Sequence, residues 1–349
     1  MKGEYRRSGV SIPLVWTYNK LDMITPPVIW SNSKYVFLML ASFFSKAFNQ
    51  WIHVERRVDM INIAIPKGSL EEQTLLLFKQ ADLEIRKTDR EYNPTVKDPR
   101  ISKVKILRPQ EIPKYVEEGY FDLGISGKDW VMESDSDVVE IADLYYSKQG
   151  EGNVKIIIAV PNESEVRTGK DIKPGSRVST EYPNLTKKFF DALGIPVDMR
   201  YSYGATEAKV PELVDVIVDL TETGSTLRKN GLKIVDLILE SNTKLIANKK
   251  SWDDPVKRRE IEEIRILLLA VLEARGKVYI VMNVPGDKLD AVVEVLPSMK
   301  NPTVSKLYKS EYYAVETVVS KSEVNILIPK LKSLGAEDIL EMDIMKIVH

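Results

Sequence analysis

The chain contains no cysteine, which removes disulfides, zinc–thiolate sites and cysteine nucleophiles from consideration. Histidine is nearly as scarce. The two present, His53 and His349, lie outside the segments that carry motifs, so a Ser-His-Asp triad or a histidine-based metal site has no histidine at hand. Net charge is missing as well. Fifty Lys and Arg offset 51 Asp and Glu, and no broad basic field invites nucleic acid. The apolar stretch at residues 35–45 is too short to span a bilayer, and Lys46 interrupts it. No membrane span or cleavable leader is expected. The chemistry that remains must run on positioning, carboxylates, hydroxyls, cations and backbone N–H groups.

What is there has the composition of a soluble globular protein, 44% hydrophobic and 29% charged. Its 349 residues suffice for two or three domains. Residues 1–59 are irregularly patterned, with a Pro-Pro at 26–27 and scattered tryptophans. They read as a poorly ordered N-terminal extension or the product of an upstream start codon. A membrane-associating leader and an ordered extra element are the other readings.

From Met60 the pattern becomes α/β, with short apolar strands alternating with helical segments. Strand 61–65 runs through a Pro-Lys-Gly turn into a helix from Ser69, where Ser69 and Glu72 have capping-box spacing. Strands at 104–107, 121–126, 155–160, 177–180 and 214–220 follow, with helices at 112–118 and 184–193, the latter stopped by Gly194. A helix over 256–274 shows an apolar stripe of Ile261, Ile264, Leu268, Val271 and Leu272 and stops at Gly276. Beyond it, strand 278–284, helix 287–296, strands 303–308 and 312–320, helix 322–334 and a final strand near 339–347 spell βαββαβ, the ferredoxin-like order.

The sharpest feature is Val216 to Thr226, VIVDLTETGST. An apolar strand delivers Asp219 at its carboxyl end, the edge where α/β sheets bind ligands. Thr221, Thr223, Ser225 and Thr226 supply hydroxyls, and Gly224 admits a close backbone approach. Helix N–H groups opening near Ser225 favour an anion. A phosphate fits this loop, with Asp219 accepting hydrogen bonds from sugar hydroxyls. Taken alone, the segment also reads as a strand followed by an ordinary Thr-capped helix. Taken singly, Lys67-Gly68 also reads as a plain turn, Arg108 as a solvated strand end, and Asp122 and Gly124 as close-packed strand-edge residues.

The loop resembles that of phosphoribosyltransferases. Common members carry two adjacent acids, but here Leu220 holds the second place. The Asp-Leu-x-x-[Ser/Thr]-Gly-x-Thr-Leu form, matched from Asp219 to Leu227, is similar to the ATP phosphoribosyltransferase family of histidine biosynthesis. Four further segments resemble that family in order: Ile63–Leu70 with Lys67 and Gly68, Leu107–Pro113 with Arg108, Asp122–Asp129 with Gly124, and Thr180–Leu185 with Tyr182. One departure is local, since the interval after Glu207 is a residue shorter than in many relatives.

The resemblance implies two α/β lobes like those of a periplasmic binding protein, formed by residues 60–150 with 243–275 and by 151–242. A ferredoxin-like, ACT-like regulatory domain would occupy 276–349. It implies a glycosyltransferase, specifically a pentosyltransferase, moving phosphoribosyl from phosphoribosyl pyrophosphate to N1 of ATP with Mg2+ assisting pyrophosphate departure. Asp219 would hold the ribose hydroxyls, the Thr221–Thr226 loop including Glu222 the 5′-phosphate, Lys67 and Arg108 polyphosphate, and Tyr182 the base. Gly68, Asp122 and Gly124 would complete the binding surface, with the Glu222 side chain expected to point away from the anion. Metal ligands are not assigned. Histidine is the expected feedback inhibitor, the chain needs no separate synthetase-like partner, and a cytoplasmic homo-oligomer, dimer to hexamer, is expected. A phosphoribosyltransferase with another base acceptor and a non-catalytic two-lobed binding protein are the rival readings.

Overall fold

The computed structural model describes residues 60–88, 91–146, 153–297 and 301–349. The extension expected over residues 1–59 lies outside the described residues. The chain begins with β1 (Ile61–Pro66), α1 (Glu71–Gln80), the antiparallel pair β2 (Ile85–Arg86) and β3 (Thr95–Val96), and β4 (Ile101–Leu107). Next come α2 (Ile112–Glu117), β5 (Leu123–Gly127), α3 (Lys128–Glu133) and β6 (Val139–Leu144). A second set follows: β7 (Val154–Pro161), β8 (Arg177–Thr180), α4 (Pro183–Leu193), β9 (Asp198–Tyr201), β10 (Val216–Thr221), α5 (Ser225–Lys229) and β11 (Leu232–Ser241). The chain then returns through β12 (Thr243–Ala247), α6 (Lys249–Asp253) and α7 (Pro255–Ala274).

These elements build two five-stranded mixed sheets, ordered β4-β1-β5-β12-β6 and β11-β7-β10-β8-β9. In the first, Leu77 and Phe78 of α1 and Ile261, Ile264, Leu268 and Val271 of α7 cover the face carrying Ile61, Ile63 and Ile65. Ile112 and Val116 of α2 cover the face carrying Ala64 and Ile246. In the second, Phe190 of α4 packs on Ile156, Ile158, Val216 and Val218, and Leu227 of α5 packs opposite on Ile157 and Ile217. The inner strands β1, β5 and β7 and the first half of β10 are therefore buried on both faces, which explains why they read as apolar runs and not as alternation. The long α7 opens on Asp254, whose side chain accepts from Val256 N (2.8 Å) and Lys257 N (3.1 Å), with Pro255 at the first helical position.

The C-terminal part is β13 (Lys277–Pro285), α8 (Leu289–Glu294), β14 (Thr303–Lys306), β15 (Tyr312–Ser320), α9 (Lys321–Ser333) and β16 (Glu337–Asp343). Its antiparallel sheet, ordered β14-β15-β13-β16, has ferredoxin-like topology. Val278, Ile280, Met282, Val315, Val324 and Leu331 belong to a core of its own. The tail beyond β16 returns to the first lobe, where Ile347 N donates to Ala270 O (2.9 Å) and Lys346 pairs with Asp82.

Two local expectations are corrected. The first helix begins at Glu71 and not at Ser69, with Leu70 as N-cap and no side-chain cap bond. Gly68 N lies 3.4 Å from Glu71 Oε2, so Glu71 takes the place expected of Glu72. The helix expected over 287–296 is a 3-10 turn at Gly286–Lys288 followed by the six residues of α8.

Candidate active site

The end of β10 creates the opening. Val216, Ile217 and Val218 are buried, and β8 pairs with β10 only as far as Thr180 opposite Val218. From Asp219 onward β10 keeps a partner on the β7 side alone, because the chain beyond Thr180 turns into α4. Asp219 therefore emerges half-buried at a gap in the sheet. Its Oδ1 accepts from Leu220 N (2.7 Å). Burial chiefly, with the nearby carboxylates of Glu207 and Glu181, pushes its carboxyl up from 3.8 to about 6, against the Leu220 N–H and the Lys209 ammonium. Lys209 is held by Ser202 Oγ (2.5 Å).

The loop that follows is closed by its own hydroxyls. Gly224 N donates to Thr221 Oγ1 (2.8 Å), Ser225 N to Thr223 Oγ1 (3.4 Å), and Arg228 Nη1 to Thr223 O (3.0 Å). Gly224 is the N-cap of α5 at φ 69°, a left-handed conformation that disfavours side chains. Helix α5 has only five residues, so any anion here is held by individual N–H and O–H donors more than by a long helix dipole.

A cleft of about 380 Å³ lies against this loop. Asp219, Leu220, Thr221, Glu222, Thr223, Ser225 and Thr226 line one side, together with Glu207. Ser69, Leu70 and Pro109 line it from the ends of β1 and β4, and Gly127, Asp129 and Trp130 from the start of α3. The crossing residues Ser241, Asn242 and Thr243 complete it. Glu222 is part of this wall, within the turn closed by Gly224 and Thr221. Asp129 is buried, its carboxylate accepting from Tyr182 OH (3.0 Å) and Ser241 Oγ (2.7 Å). Burial raises its carboxyl above the ordinary range, opposed by those two hydroxyls.

The remaining expected residues separate into three groups. Lys67 and Arg108 do not line the cleft, although their chain neighbours Ser69, Leu70 and Pro109 do. Lys67 Nζ donates to Tyr92 OH (2.8 Å). That bond, with the charges of Lys67 and Arg108, lowers the Tyr92 phenol. Gly68 turns the chain between Lys67 and Ser69 at φ 93°. Tyr182 is buried one layer behind the wall and stacks on Trp130, ring centroids 4.5 Å apart. Burial, first, and the Asp129 carboxylate hold its phenol well above the usual range.

Asp122 and Gly124 lie outside the cleft and have structural partners. Asp122 accepts from Asn62 N (2.7 Å), Ser251 Oγ (2.6 Å) and Lys257 Nζ (2.8 Å), tying α6 and α7 to the first sheet. Gly124 lets α2 approach, since a Cβ there would lie 2.7 Å from Val116 Cγ2 and 2.8 Å from Ile112 Cγ2. Asp122→Ala is expected to lower unfolding stability by about 3 kcal/mol, the scale of a broken buried ion pair. Urea denaturation checks this; a loss below about 1 kcal/mol would mean that these bonds contribute little.

Asp129, Trp130, Ser241 and Asn242 join the site beyond the residues expected from the sequence. Asp129 closes the Asp122–Asp129 motif segment, which is the signal that could have found it. Ser241 and Asn242 carry no sequence signal, being cleft residues only because the chain passes from the second sheet to the first there.

Two α/β lobes with a cleft between them place a strand-end acid and a hydroxyl-rich glycine loop on one wall. A family model described as ATP phosphoribosyltransferase matches residues 108–269, and one described as HisG, C-terminal domain matches 274–346. The ATP phosphoribosyltransferase of Desulforudis audaxviator is 49% identical over 288 residues, covering 82% of this chain and 99% of that protein. That of Pelotomaculum thermopropionicum is 47% identical with the same coverage. Among solved structures, the ATP phosphoribosyl transferase (HisG:HisZ) complex from Thermotoga maritima matches with a TM-score of 0.54 and 26% identity, over 61% of this chain and 99% of that one. The chain belongs to the ATP phosphoribosyltransferase family, pentosyltransferases of histidine biosynthesis.

Proposed function

We propose that the cleft binds phosphoribosyl pyrophosphate at the Asp219–Thr226 loop and ATP against the Asp129–Trp130 wall. The C1′–oxygen bond to pyrophosphate breaks as adenine N1 forms its bond to C1′, and pyrophosphate leaves with the electron pair. A ring nitrogen attacks with its own lone pair, so no side-chain nucleophile is required, in keeping with a cysteine-free chain. The observation that carries this reading is Asp219 beside the gap in the second sheet, lining one cleft with the loop residues Thr221, Thr223, Ser225 and Thr226.

Asp219, ionised, accepts from the ribose hydroxyls and thereby orients C1′. Thr221, Thr223, Ser225 and Thr226 donate to the 5′-phosphate. Lys67 and Arg108 attract polyphosphate from beside the cleft, and Tyr182 supports the base side from behind Trp130. Among the described residues no group of three or more acidic or histidine side chains is placed to hold a metal. Mg2+ on a polyphosphate takes most of its ligands from phosphate and water, so it would come with the substrate and would supply charge neutralisation for the leaving pyrophosphate.

Residues 60–150 with 243–275 and residues 151–242 serve as the catalytic lobes, and 276–349 as the regulatory domain that takes histidine. No helix among the described residues is long and apolar enough to cross a membrane. The working form is a cytoplasmic homo-oligomer without a separate partner chain. Incubation with ATP, phosphoribosyl pyrophosphate and Mg2+ should yield N1-phosphoribosyl-ATP and one pyrophosphate per adduct. Adducts with free nucleobases but not with ATP would refute this acceptor assignment.

A further inference from the structure

Helix α4 in the second lobe has an unusual beginning. Its N-cap is Tyr182, which makes no side-chain cap bond, and Pro183 at the first helical position has no N–H to offer. The first free donors are Asn184 N and Leu185 N. Both are satisfied from the other lobe: Glu133, last residue of α3, accepts Asn184 N at Oε1 and Leu185 N at Oε2, each at 2.9 Å. The Asn184 amide donates back to Glu133 O (2.8 Å). A carboxylate at a helix N-terminus is favourable electrostatically, and here it is buried as well.

One turn earlier on α3, Asp129 accepts the Tyr182 hydroxyl and Trp130 stacks on the Tyr182 ring. The cap and the cleft wall are therefore consecutive turns of one helix meeting the same end of another. Glu133 itself does not line the cleft. We propose that Glu133 is a positioning residue for the transfer reaction: its cross-lobe cap on α4 sets the spacing of the two lobes and fixes Trp130 and Asp129 against the substrate loop. Removing the carboxylate frees two helix donors and leaves α4 tied to α3 by the Tyr182–Asp129 bond, the Tyr182–Trp130 stack and the Asn184 amide. The wall then no longer stands at a fixed distance from Asp219. This rests on the assignment of ATP to the Asp129–Trp130 wall and of phosphoribosyl pyrophosphate to the loop.

A cysteine-free chain allows a direct test. Spin labels on the exposed positions of Glu118→Cys in the first lobe and Lys170→Cys in the second report lobe spacing by pulsed electron–electron resonance. Glu133→Ala is expected to broaden a single narrow distance distribution. It should also raise KM for ATP at least tenfold, while Kd for phosphoribosyl pyrophosphate, measured without ATP, changes less than threefold. An unchanged distribution, or equal losses for both ligands, would overturn the proposal. If Glu133→Ala does not fold, Glu133→Gln, which keeps one acceptor and the shape, should show the same effects in smaller measure. A Gln variant matching the native protein in both readouts would overturn it too. Absence of phosphoribosyl-ATP from the native protein would refute the reaction assignment while leaving the distance measurement to judge Glu133.

Discussion

Replacing Asp219 by Asn is expected to weaken phosphoribosyl pyrophosphate binding about a hundredfold. Two hydroxyl bonds to an ionised acceptor, each net worth about 1.5–3 kcal/mol, are exchanged for bonds to a neutral amide. A loss of about 3 kcal/mol is two factors of ten in Kd. The pH dependence gives the same residue a second signature. Asp219 titrates at about 6 in the folded chain against 3.8 ordinarily, principally because it is buried. Between those values the folded chain retains a proton that the unfolded chain has released, so stability falls as pH rises through the window. Above pH 6 the fold carries an ionised, poorly solvated carboxylate that ligand hydroxyls relieve.

Affinity should therefore climb as pH rises towards 6 and level off above it. The ligand phosphate titrates in the same range, but it does so for both proteins. The difference between native and Asp219→Asn isolates the residue: the variant loses one limb of the profile, and its melting temperature gains on the native protein above pH 6. Calorimetric titration and thermal melts at pH 5, 6, 7 and 8 check both. Parallel profiles for the two proteins would remove Asp219 from the site.

Deleting residues 276–349 is expected to abolish inhibition by histidine and leave phosphoribosyl transfer measurable. The C-terminal sheet has a core distinct from those of the lobes, so its removal leaves no hole in either catalytic sheet. The deletion breaks the hydrogen bond from Ile347 N to Ala270 O and the Lys346–Asp82 pair, both on the first lobe away from the substrate loop. Initial rates with and without histidine decide the matter. A truncated enzyme that is active and still inhibited would place the inhibitor elsewhere.

Much of the fold is legible in the sequence where one element carries its own pattern. The β10 strand reads from its apolar run, α4 from its αL glycine stop at Gly194, and the βαββαβ unit from the rhythm after Gly276. Strand β11 escapes such a reading, because bulges between Ile234 and Asp236 and between Leu237 and Leu239 break its periodicity. Strand β12 escapes it because it is short and follows β11 after one residue. At the site, the loop is legible because consecutive residues do one job. The α3 wall is not, since Asp129 meets Ser241 across 112 positions and Glu133 meets Leu185 across 52. Asp122 shows the converse: a motif acid whose oxygens are taken by Asn62, Ser251 and Lys257. Spacing alone does not separate a residue that faces substrate from one that anchors two helices.

The central claim, that the Asp219–Thr226 loop is the phosphoribosyl pyrophosphate site, is tested most directly by a crystal structure with Mg2+ and that ligand bound. The 5′-phosphate should sit among the hydroxyls of Thr221, Thr223, Ser225 and Thr226, with the ribose hydroxyls on Asp219. A 5′-phosphate held instead by Lys67 and Arg108, with Asp219 free of the sugar, would contradict it.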